Sequence, residues 1–159
     1  MVINILFTLI LSWILFSISK EDVKTMQISE NKLRIFAISG IIYIVTLGLL
    51  NKKINTIDLI TANIFAMLIV SIIMYLISLI SYKIFKVNSL GIGDIKLSSI
   101  SSIWLGIEFS FISLCISFLL SAIYSIYGKI TKRFQSFHQY PFAPFLSIGI
   151  FCSWILDKI

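Results

Sequence analysis

Long apolar runs separated by short polar clusters set the plan of this chain. Stretches without charge cover Met1–Ser19, Ile35–Asn51, Leu59–Tyr82, Phe109–Gly128 and Gln139–Leu156. Each approaches the roughly 20 residues that a helix needs to cross a bilayer core. The pattern predicts an all-α membrane protein, and the open question is the number of spans. Leu97 to Gly128 is 32 residues long and is interrupted only by Glu108. A straight helix of that length would measure about 48 Å against a core of about 30 Å. Two spans with a tight turn near Gly106, Ile107 and Glu108 fit better, the first of them starting near Ser89.

Basic residues choose between the two counts. Six spans put Lys20, Lys24, Lys32, Arg34, Lys83, Lys86, Lys96, Lys129, Lys132 and Arg133 on one side, and Lys52, Lys53 and Lys158 on the other. Five spans divide the charges more evenly, so the positive-inside rule prefers six. The predicted spans are 2–19, 34–51, 58–82, 89–107, 109–127 and 140–157, with both termini outside and the basic loops cytoplasmic. Asp22, at the end of the first span, then shares a membrane face with Asp94, at the start of the fourth.

Composition supports this plan. Hydrophobic residues make up 58% of the 159 positions and charged residues 13%, more apolar surface than a soluble domain of this size could hide. The net charge of +6 is read as a topology signal and not as a nucleic-acid footprint. The first run lacks a preceding basic residue and a following small-residue cleavage site, so it is expected to be a retained helix and not a signal peptide. Cys115 and Cys152 lie in apolar runs without CxxC spacing, which argues against a zinc site or a disulfide framework. There is no internal repeat or low-complexity linker, and residues 1–159 are expected to form one domain.

Most acidic residues have ordinary explanations. Asp58 sits where an acid favours a helix N-terminus, Asp157 is terminal beside Lys158, and Glu108 fits the outer turn. Glu21 and Glu30 alternate with lysines as on a solvated face. His138 is the only histidine and has no second imidazole to help it hold a metal. Asp22 and Asp94 remain, and an ionisable group within a span is functional by default. Asp94 ends the segment "GIGD", with Gly91 and Gly93 bracketing Ile92. Glycines at a helix start cost helix propensity but let backbones approach closely. Taken alone, Asp94 is either a cap or a catalyst. Two close carboxyl groups supply a known chemistry, in which the ionised one activates water while the protonated one polarises a peptide carbonyl. Such a pair titrates as a unit, and hydrolysis by it needs no metal or other cofactor. A small ion- or proton-coupled transporter or channel subunit could use the same acids.

Three stretches carry a resemblance. "GIGDIKLSSISSIWLG" (Gly91–Gly106), "EDVKTMQISENKL" (Glu21–Leu33) and "YPFAPFLSIGIF" (Tyr140–Phe151) together resemble the GxGD membrane aspartyl peptidases, specifically the prepilin peptidase, or type IV leader peptidase, family. The resemblance implies that Asp22 and Asp94 are the catalytic pair, with Gly91, Gly93, Lys96, Pro141, Phe142 and Pro144 as motif residues along the substrate groove. It implies a multi-pass plasma (inner) membrane enzyme that cuts the short basic leader from type IV pilin-like precursors at the cytoplasmic face. Its partners would be that precursor and the lipid bilayer, with no cofactor and no nucleic acid. Ser29-Glu30 stands where the family usually has Pro-Asn, and Ala143 replaces a glycine. The paired CxxC motifs of bifunctional, N-methylating members are missing, so a compact peptidase-only form is expected, similar to those serving Tad-type pili, other type IV-like pili or archaella. Presenilin-like proteases share GxGD, but no tyrosine precedes Asp22.

Overall fold

The computed structural model describes residues 2–50, 55–86, 90–132 and 140–158. Among these residues it is all-helical, with α1 (Val2–Thr25), α2 (Glu30–Leu50), α3 (Thr56–Phe85), α4 (Ile92–Ile130) and α5 (Ala143–Lys158). Helices α1 to α4 are long and apolar enough to cross a membrane. Helix α5, at 16 residues, is shorter than a full span. The Ser89 start expected for the fourth span, together with Lys52, Lys53, Arg133 and His138, lies outside the described residues.

One expected boundary needs correction. Helix α1 runs through Thr25, past the predicted end at residue 19, because Lys20 to Thr25 continue the helix after the apolar run ends. Lys24 in its last turn complements the negative end of the helix dipole. Asp22 is therefore inside a helix and not at its exit. The turn expected near Gly106 falls inside the 39-residue α4, which consists of two helical segments that meet at Gly106, where the backbone leaves helical geometry (φ 70°, ψ −176°). That conformation is open to glycine and strained for residues with a Cβ.

The contacts of α4 with α5 show what the break does. Near its start, Asp94 lies within electrostatic range of Asp22, and Asp22 touches Ala143 at the beginning of α5. Further on, Trp104 packs against Trp154 near the end of α5. Beyond Gly106 the order reverses, with Ser113 and Ser117 against Gly149 and Ser121 hydrogen-bonded to Tyr140 at 2.8 Å. The two halves of α4 thus run in opposite directions along α5, and Gly106 is the turning point.

Side chains fix this reversal. The Asn63 amide on α3 donates to the Ile103 carbonyl at 3.1 Å, next to the break, and so helps replace helical bonding disrupted there. Asn63→Ala is expected to lower stability by about 1–3 kcal/mol through the orphaned carbonyl, read as a lower thermal midpoint in detergent. An unchanged midpoint would exclude this role. Below the turn, Trp104 stacks on Phe36 and Tyr43 with ring centroids 5.8 and 5.6 Å away, and its indole N–H donates to the Phe36 carbonyl at 3.0 Å. Gly40 permits this approach, since a Cβ there would come 2.7 Å from the indole nitrogen. The aromatic cluster sets the spacing of α2, α4 and α5, and hence of the helix ends that carry the acids.

Candidate active site

Three helix ends meet at one end of the bundle: the last turns of α1, the start of α4 and the start of α5. On α1 the buried positions Leu11, Ile14, Leu15 and Ile18 recur at three- and four-residue spacing, the period of one helix face. Asp22 continues that stripe and is only 5% exposed. An acid so placed needs a partner, and α5 supplies it. The backbone N–H of Ala143 donates to Asp22 Oδ2 at 3.0 Å.

This bond completes the accounting for the first turn of α5. A helix start leaves its first N–H groups without intrahelical acceptors. Ala143 donates to Asp22, Pro144 has no N–H, and Phe145 and Leu146 donate to the Phe142 carbonyl at 3.0 and 3.2 Å. Asp22 is therefore an N-terminal cap supplied from another helix, favoured also by the positive end of the α5 dipole. Its carboxyl orientation is set by α5 as well as by α1.

Asp94 occupies the first turn of α4, whose N-cap is Gly91. Its Oδ2 folds back onto the Gly91 backbone, as an acid does when it reaches back in a capping box. Its Oδ1 is buried and has no hydrogen-bond partner among the described residues. The capping interaction thus explains one oxygen and leaves the other unexplained. The carboxyl groups of Asp22 and Asp94 lie within electrostatic range of each other, which the sequence argued only from topology. No group of three or more His, Cys, Asp or Glu side chains suited to a metal ion occurs among the described residues.

Polar ties brace the acids from outside. Glu21, next to Asp22, pairs with Lys32 at 3.3 Å and accepts the Ser29 N–H at 3.3 Å. Lys32 also donates to the Ser17 carbonyl at 2.8 Å. Glu30 bridges Lys96 at 2.7 Å and Arg34 at 3.5 Å. Glu30 is exposed, as expected of a solvated face, and its pair with Lys96 links the start of α2 to α4, whereas Glu21 is half-buried against Lys32. Lys96, read as a motif residue of the substrate groove, makes this exposed ion pair with Glu30.

The remaining motif residues are spread around the acids. Gly93 abuts Ile28 of the α1–α2 connection, and a Cβ there would come 3.3 Å from the isoleucine. Phe142 packs against Phe118 and Phe145. Pro141 and Pro144 are half-buried in the approach to α5. The residue that sequence reasoning missed is Ala143, which acts through its backbone. The signal was present in the two prolines, which mark a helix start and remove one donor from it.

Among the described residues, an all-helical fold with four helices long and apolar enough to cross a membrane, and two carboxyl groups within electrostatic range at one end of the bundle, marks the class of a helical membrane protein with an acid pair. The model of the type IV leader peptidase family matches residues 9–126, and the chain belongs to that family of peptidases. The matched region includes Asp22 and the GxGD segment and ends before Tyr140–Phe151. Neither the comparison with curated proteins nor that with solved structures gives a match.

Proposed function

We propose that this family member is an aspartyl endopeptidase that removes the short basic leader from type IV pilin-like precursors at the cytoplasmic face of the plasma membrane. The proposed topology has six spans, the turn at Gly106 separating the fourth from the fifth, and both termini outside. The observation that carries the reading is that Asp22 and Asp94, held from different helices, lie within electrostatic range, with Asp94 Oδ1 buried and unpartnered among the described residues. Gly91, Gly93 and the Pro141–Ala143 segment then border the peptide.

The chemistry follows from the pair. One carboxylate takes a proton from water as the water oxygen attacks the scissile carbonyl carbon. The other carboxyl group, protonated, donates to the carbonyl oxygen as it gains negative charge. The tetrahedral intermediate collapses, the C–N bond breaks, and the amine leaves with a proton from the pair. Roles belong to the dyad and not to either residue. The Ala143 N–H keeps the Asp22 carboxyl aimed, so binding of the precursor need not order it.

Reconstitution in vesicles with a precursor carrying a basic leader, a glycine and a hydrophobic helix tests this. Mass spectrometry should find a single cut after the glycine, unaffected by EDTA or by serine- and cysteine-directed reagents. Proton or cation flux without cleavage would replace this reading with the transporter one.

A further inference from the structure

Helix α1 presents a second feature beside the Asp22 face, along its seam with the start of α5. Phe16, Ser19, Lys20, Val23 and Lys24 of α1, with Pro144 of α5, line an open groove of about 360 Å³. Its walls are apolar, since Phe16 and Val23 are exposed large hydrophobics. At the end near Thr25, where α1 finishes, stand two exposed lysines that form no ion pair among the described residues. The other charged residues of this region are already engaged: Glu21 with Lys32, and Glu30 with Lys96 and Arg34.

We propose that this groove is a binding site for one anionic phospholipid, with an acyl chain along Phe16, Val23 and Pro144 and the phosphate between Lys20 and Lys24. Depth supports the assignment, because the groove occupies the last turns of a membrane-length helix and its lysines reach headgroup level. Charge supports it too, as basic residues between helices at that level recognise anionic headgroups. The two lysines would repel a basic leader. Pro144 follows Ala143 directly, so a lipid seated here presses on the α1–α5 seam that aims Asp22.

The protein carries its own reporter. Trp13 lies on the same face of α1, three residues before Phe16, and is 72% exposed, whereas Trp104 and Trp154 are buried. In phosphatidylcholine vesicles, phosphatidylglycerol brominated on its acyl chains should quench Trp13 at least about threefold more effectively than brominated phosphatidylcholine at equal mole fraction. Lys20→Gln with Lys24→Gln should abolish that preference, and Lys20→Arg with Lys24→Arg should keep it. Lys129→Gln with Lys132→Gln, which removes charge from α4 instead, should leave it unchanged. Equal quenching by the two lipids would overturn the proposal, as would a preference that survives the paired glutamines. A preference lost equally in the α4 variant would mean general surface charge, and relief of quenching by the precursor helix would make the groove a substrate site. Because the readout is fluorescence, it stands or falls independently of peptidase activity.

Discussion

Asp22→Asn and Asp94→Asn should each reduce precursor cleavage by at least about a thousandfold, the scale of losing a positioned proton-transfer group in a two-carboxyl mechanism. The double variant should be little worse than either single one, because groups that act as a unit do not contribute additively. Asparagine separates chemistry from architecture at both positions. At residue 22 its amide oxygen can still accept the Ala143 N–H, so α5 stays capped. At residue 94 it can still reach back to Gly91. Each substitution removes one titratable group from a coupled pair whose members cannot both ionise cheaply, so thermal midpoints should hold or rise while activity disappears. Asp22→Ala differs in the informative direction, since it loses the cap as well and should lower the midpoint. Either asparagine variant keeping more than about a tenth of wild-type cleavage in membranes would refute the dyad.

The sequence made the apolar helices legible because charge-free runs of membrane length have few alternative fates. It also located the turn at Gly106, where hydrophobicity gives no signal, from an argument about length. The exact course of α1 was not legible, because hydropathy marks where the apolar run ends and not where the helix ends. Asp22 and Asp94 could be singled out by their scarcity and by the glycines beside Asp94. Their approach to each other depends on tertiary packing that no local pattern encodes. The Ala143 contact was harder still to see. It is a backbone donor, and its importance comes from the helix start built by Pro141 to Pro144, not from the alanine side chain. The Glu30–Lys96 tie was hidden for a related reason: the two residues are 66 positions apart, and each looks solvated in its own segment.

Gly149→Ala is the second large effect expected, although position 149 touches neither acid. A Cβ there would come 2.5 Å from the Ser113 carbonyl oxygen and closer still to the Ser117 hydroxyl. A serine rotamer can move, but a helical carbonyl cannot, so α4 and α5 must separate. Overpacking by one methyl group costs about 1–3 kcal/mol, and close approach of small residues is a main source of helix association in lipid. The displacement would reach the site, because Ala143 lies six residues from Gly149 along α5, about 9 Å by helical rise. Gly149→Ala should therefore lower both the thermal midpoint and cleavage, with Gly149→Leu more severe in each. Adding Ser117→Ala should restore only part of the loss, since the Ser113 carbonyl still blocks the methyl group. The neighbouring Ile148→Ala should be mild in both assays, because Ile148 is exposed. Wild-type stability and cleavage in Gly149→Ala would mean that the α4–α5 spacing does not control the reach of Ala143 to Asp22. A partial rescue by Ser117→Ala would instead tie the aim of that carboxyl group to a seam of small residues in the middle of the bundle.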